Sequence, residues 1–156
     1  DFWHETLEAL RIAGVDHYDN VRPKRDHWLN AGSGLGGVVY SMVINKDEAR
    51  VNFALDRSVK EENKLLFDSL SHRREELDAA FGHPLSWRRM NLKKVSIVEY
   101  AAPFEAHLRE NWPRVIEWLV IQISKLEHVF GQEIPKLRAV LQQQSLGQAD
   151  SPDQNP

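Results

Sequence analysis

The sequence predicts an α+β domain: a mixed or antiparallel sheet of two hairpins plus a short strand, packed against three main helices. Three observations carry this prediction. Paired short segments alternate apolar and polar side chains at period two, longer segments repeat apolar residues at three and four, and the two kinds follow one another as helix, strands, helix, strands, helix. No internal repeat is present.

Asp1 can cap a first helix whose apolar positions Trp3, Leu7 and Leu10 share a face, and Gly14 supplies a stop. A polar, basic stretch over 15–26 then leads into a short strand at His27 to Asn30. Residues 38–44 place Val38, Tyr40, Met42 and Ile44 on one face, and Asn45 to Glu48 reverse the chain into Val51, Phe53 and Leu55, a hairpin. Ser58 and Glu61 have capping-box spacing, which predicts one long helix carrying Leu66, Leu70, Leu77 and Phe81 and ending at Gly82, His83 and Pro84. Residues 85–89 and 94–100 form a second hairpin through Asn91, with Val95 and Ile97 on one face. Asn111 caps the last long helix, with Pro113 in its first turn and Ile116, Leu119, Ile123, Leu126 and Phe130 on its core face. Gly131 and Pro135 interrupt it before a shorter amphipathic piece through Leu141.

At 156 residues, 42% hydrophobic, the chain has apolar material for one core, so residues 1–141 are expected to form a single domain. From Gln142 the composition turns to Gln, Ser, Asp, Asn and Pro, and 142–156 is expected to be a disordered tail. No run approaches the ~18 apolar residues of a membrane span, and the first residues are acidic and aromatic, unlike a signal peptide. A soluble, cytoplasmic protein with no membrane partner is the expectation. The absence of cysteine excludes disulfides and thiolate metal sites. The chain opens at Asp1, at a helix start, as an excised or processed product would, and a partner domain on its N-terminal side is expected.

Gly32-Ser33-Gly34-Leu35-Gly36-Gly37 has the spacing G-x-G-x-x-G used where backbone N–H groups approach phosphate. A dinucleotide fingerprint must open a helix, whereas Val38 to Ile44 prefer a strand. A kinase-type loop would need H-R-D and D-F-G strings that the chain lacks. A flexible inter-strand turn is the reading adopted, with nucleotide or phosphate binding at Gly32, Gly34 and Gly37 as the alternative. Glu62-Asn63-Lys64 has the D/E-x-K spacing of metal-dependent nucleases, with Asp56 as the nearby acid, but it falls at a helix start and reads as a solvated helix face. The seven histidines are scattered, no G-x-S-x-G elbow exists, and Ser33 has no local base. No catalytic residue, metal or cofactor is expected.

The formal net charge of −3 means that any polyanion contact must rest on a local patch. Two segments set basic residues beside tryptophan: Arg22, Lys24, Arg25 and Trp28, then Trp87, Arg88, Arg89, Lys93 and Lys94. This pairing suits phosphate neutralisation with base stacking, so DNA or RNA is the expected partner. The competing account buries both tryptophans in the core and leaves the cations as solvent-facing strand edges. Five tryptophans and the long apolar last helix also suggest a protein-interaction or homodimerisation module.

Trp28-Leu29-Asn30, the glycine turn through Gly37, Asn45, Leu85-Ser86-Trp87-Arg88-Arg89, Lys93-Lys94 and Trp112-Pro113 through Glu117-Trp118-Leu119 resemble the family called domain of unknown function 4268. The resemblance runs in order from Phe2-Trp3 to about Leu141. It implies a bacterial or archaeal protein in which this domain often follows a PD-(D/E)XK nuclease-like domain, and it carries no assigned activity or catalytic residue. The chain departs from the family pattern in two places: the strand ending Asn52-Phe53-Ala54-Leu55 lacks a glutamate, and Val95-Ser96-Ile97 lacks the arginine that follows the serine.

Overall fold

Alternation of side chains along the β-rich segments sets the architecture. The computed structural model describes residues 1–149. Helix α1 spans Phe2–Ile12, strands β1 Trp28–Gly32, β2 Val38–Ile44 and β3 Glu48–Leu55 follow, and then come helices α2 Lys60–Ser71 and α3 Arg74–Phe81. Strands β4 Ser86–Arg88 and β5 Ser96–Pro103 precede helices α4 Trp112–Gly131 and α5 Ile134–Ala149. The strands form one five-stranded sheet in the order β1-β2-β3-β5-β4, with every pairing antiparallel. The α+β class, the two hairpins and the short first strand therefore stand as predicted, and a long β3–β5 ladder joins the hairpins.

The helices pack on one side of the sheet. Leu29, Tyr40, Met42, Val51, Phe53 and Val98 point into the core with Leu119, Ile123 and Phe130 of α4, where Phe53 and Phe130 stack at 4.7 Å. Val43 and Ala54, at the opposite parity, are buried but do not join that core. Asp1 caps α1 by accepting from the His4 N–H at 3.2 Å, and Gly82 closes α3 in the left-handed conformation at φ 99°.

Four local expectations are corrected. The Ser58/Glu61 capping box does not form; α2 starts after Val59 without a side-chain cap. Its first turn is closed by buried Asn63, which accepts from the Arg57 N–H (2.8 Å) and donates to the Arg57 (3.0 Å) and Lys94 (2.9 Å) carbonyls. The single long helix is two helices, broken at Arg73, whose guanidinium pairs with Glu76 and with buried Glu133 at the α4–α5 turn. Holding that buried carboxylate takes precedence over continuing the helix. The solvated face expected at Glu62-Asn63-Lys64 is buried at its last two residues. Finally, α5 continues to Ala149 through eight residues assigned to the tail, 142–149, because Ile134 and Leu137 anchor the helix and propagation costs little once it is nucleated. The rest of the expected tail, 150–156, lies outside the described residues.

Lys64 is the device that shapes the β4–β5 connection. Its ammonium donates to the carbonyls of Arg89 (2.6 Å), Met90 (3.0 Å) and Val95 (2.9 Å) and to Ser96 Oγ (2.9 Å). These bonds hold Met90 at φ 56°, a conformation that L-residues seldom adopt. Burial, followed by the charges of Lys60 and Arg89, draws the Lys64 pKa down. Replacing Lys64→Met should leave those carbonyls without a donor and cost about 2–4 kcal/mol in urea unfolding, whereas Lys60→Met on the exposed face should stay within about 0.5 kcal/mol. Equal small losses would show that the four bonds contribute nothing net.

Candidate functional site

The helix-free face of the sheet is built from the other parity of each strand. Along its middle runs a polar row in continuous register: Asn30 beside Ser41, Ser41 beside Asn52, Asn52 beside Glu99, and Glu99 beside Ser86. Each of the five strands contributes one member. The sheet twists into a concavity of about 290 Å³ over β1–β3, lined among others by Trp28, Asn30, Ser41, Arg50, Asn52 and Asp56.

Two buried floor atoms make no hydrogen bond among the described residues. Asn52 is only 7% exposed, yet its Oδ1 accepts no hydrogen bond. Arg50 donates through Nη1 to Glu48 at 2.9 Å, while its buried Nε lies 3.5 Å from Glu99 without hydrogen-bonding geometry. Glu99 is also held by Arg88 at 3.1 Å, so carboxylates and guanidiniums alternate as Glu48, Arg50, Glu99 and Arg88. Trp28 stands on this face level with Val43 and Arg50, with the Lys24 ammonium 4.5 Å from its ring centroid.

The two basic segments do not meet. Arg22, Lys24 and Arg25 lead into β1 at one edge, and Arg88, Arg89, Lys93 and Lys94 belong to β4 and its turn at the other. Strands β2, β3 and β5 intervene, which is about 19 Å at ordinary strand spacing. Trp28 is level with Arg50 and Ala101, but Arg88 is level with Ile97, so these two occupy diagonal corners of the face, while Arg89 turns to the helix side and pairs with Asp68 of α2. Several cations already hold carboxylates: Lys24 with Asp26 at 3.6 Å, Arg88 with Glu99, Arg89 with Asp68 at 2.8 and 2.9 Å, and Lys94 with Asp56 at 3.1 Å. Arg22, Arg25 and Lys93 form no ion pair among the described residues. The tryptophans divide as well. Trp87 faces the helices, packing on Phe67 and Phe130 and donating Nε1–H to Asp78 at 2.9 Å, which leaves Trp28 as the open-face aromatic.

The glycine turn is held through its carbonyls. Arg57 donates to the Gly36 carbonyl at 2.7 Å and Arg138 donates to that of Gly34. Gly37 lies so close to Arg57 that a Cβ would meet its Cα at 2.7 Å, at φ 77°. The turn also uses its own N–H groups, since Ser33 donates to Val38 and Leu35 to Ser33 Oγ. Glu62 of the D/E-x-K string pairs with Arg57 at 2.9 Å, and Lys64 is committed to the β4–β5 connection. Among the described residues, no cluster of His, Asp and Glu is placed to hold a metal, and no helix is long and apolar enough to cross a membrane.

The family model described as "Domain of unknown function (DUF4268)" matches residues 1–134. The chain belongs to the DUF4268 family. No curated protein and no solved structure matches it. In this DUF4268 chain, Ile97 stands opposite Ala54 on neighbouring strands of the sheet. The polar row was the feature missed in the sequence. Its signal was a polar residue within each strand sequence, but which of them become neighbours depends on register.

Behind the sheet, Glu127 of α4 is largely buried facing Asp16, His17, Tyr18 and Tyr40, with its Oε1 3.2 Å from His17 Nδ1. Burial, reinforced by Asp16, pushes its pKa up to about 7. The folded chain thus retains a proton that the unfolded chain releases near pH 4.5. The stability this gives is complete below that pH and is lost as pH rises through about 7. Glu127→Gln should abolish this component, gaining on the wild type by up to about 3 kcal/mol between pH 5 and pH 8 in urea titrations. Parallel pH profiles would refute the assignment. Gly37→Ala should cost about 1–3 kcal/mol, while Gly32→Ala, with open space around it, should cost about 0.5 kcal/mol, as thermal unfolding would read.

Proposed function

We propose that this DUF4268 domain is a non-catalytic recognition module that contacts nucleic acid through the open face of its sheet, in an accessory role beside a nuclease-like domain as the family resemblance implies. The observation that carries this reading is the concave, helix-free face with Asn52 Oδ1 accepting no hydrogen bond at its floor and Trp28 beneath the Lys24 ammonium at its rim. Hydrogen-bonding groups below, an aromatic surface beside them and cations at the corners are the parts from which nucleic-acid grooves are assembled. Arg22, Arg25 and Lys93 supply cations without a carboxylate to displace. The exposed pairs at Lys24 and Lys94 are worth about 0–1 kcal/mol each and can exchange a carboxylate for a phosphate at little cost.

The dimerisation reading draws no support from the residues that motivated it. The apolar stripe of α4 is spent on the core, and Trp3, Trp87, Trp112 and Trp118 pack within the chain. The test of the proposal is affinity for labelled DNA and RNA at several salt concentrations. Binding should weaken steeply with salt, and Arg25→Glu and Lys93→Glu should each lower the slope of log affinity against log salt by about one. Absence of binding at low salt would end the proposal.

A further inference from the structure

We infer that the concavity is a pocket for an unstacked nucleobase, so that the ligand of this face is a single strand and not a duplex. The inference rests on the nucleic-acid reading and adds the form of the ligand and the group that reads it. Width comes first. A five-stranded face about 19 Å across exceeds the ~12 Å major groove of a duplex, so the sheet cannot enter the groove to reach base edges. A duplex resting on the rims would present only its phosphates.

Asn52 and Arg50 line this concavity, but Asn52 Oδ1 and Arg50 Nε are themselves covered in the ligand-free protein, so a thin, flat ligand engages them by turning those side chains toward it. Asn52, 7% exposed, holds an acceptor that nothing among the described residues uses, and the neighbouring Arg50 Nε faces Glu99 at 3.5 Å without a hydrogen bond. Both project from β3 at the same parity, and Ser41 and Asn30 continue the polar row toward β1. A nucleobase edge carries donors and acceptors side by side, and a carboxamide is suited to reading them. Leaving a buried amide unpaired costs free energy in the empty protein, which a base inserted edge-on would recover. Trp28 lies two strands from Asn52, close enough for a second base of the same strand to stack on it. The basic corners lie about 23 Å apart along the diagonal, a span within reach of a short single strand.

The test uses the whole chain, uniformly 15N-labelled, with a mixed-sequence 12-nucleotide DNA and RNA strand and with duplexes of the same sequence. The expected result is at least ten-fold tighter binding of a single strand than of its duplex, with the Asn52 side-chain amide resonances shifting on addition of that strand. Asn52→Leu should weaken single-strand binding about ten-fold while leaving the salt slope intact, in contrast to Arg25→Glu, which should change the slope. If Asn52→Leu fails to fold, the wild-type amide shift decides. Equal affinity for duplex and single strand with an unmoved Asn52 amide would overturn the pocket and leave the salt-dependent reading standing. No binding of either form at low salt would overturn both.

Discussion

The ladder between β3 and β5 is the constraint on which the rest of the molecule depends. Each hairpin can form from residues close in sequence, but pairing Glu48 to Leu55 with Ser96 to Pro103 brings together segments separated by two helices. This pairing sets Phe53 beside Val98 on the side covered by α4 and Asn52 beside Glu99 on the side left open. It also sends β1 and β4 to opposite edges. One register thus defines the core, completes the polar row and keeps the two basic segments apart.

Several buried polar groups serve as joints of the fold, and Asn52 and Arg50 differ from them in their place on the open face. Lys64 spends its ammonium on four oxygens, Asn63 makes three bonds to backbone, and Glu133 is held by Arg73 and, at 3.5 Å, by Lys136. Each joins elements distant in sequence, and each is satisfied within the chain, as buried polar groups in folded proteins usually are. Asn52 and Arg50 lie in the middle of a regular ladder, where backbone pairing is complete; Arg50 links Glu48 and Glu99, while Asn52 Oδ1 bonds to nothing among the described residues. Unused hydrogen-bonding capacity on an open concave face is what a ligand-binding surface requires.

Much of the element structure was legible in the residues. Val38 to Ile44 forms a strand over the predicted span, Gly82 ends its helix, and the Ile116, Leu119, Ile123, Leu126, Phe130 series is the buried stripe of α4. Local pattern failed where a distant partner competed with it. Ser58 and Glu61 have the spacing of a capping box, but the helix start is closed by Asn63, because only Asn63 also reaches Lys94 across the β4–β5 connection. Arg73 lies in good helical sequence, but it is drawn out by Glu133, sixty residues away.

Sequence by itself determined the α+β class, the two hairpins, the inward faces of β2 and β3 and many of the core residues, since side-chain periodicity and turn chemistry are local properties of the chain; on β5 it singled out Val95 and Ile97, whereas Ser96 and Val98 face inward. It also determined that Asn30, Ser41, Asn52 and Glu99 each interrupt an apolar run. Only the tertiary structure decided that these four are neighbours, that Trp28 faces outward while Trp87 packs inward, and that the basic segments stand at diagonal corners. The reason is physical: strand order and register are chosen by the burial of one whole face against the helices, a collective free energy that no short stretch of sequence contains.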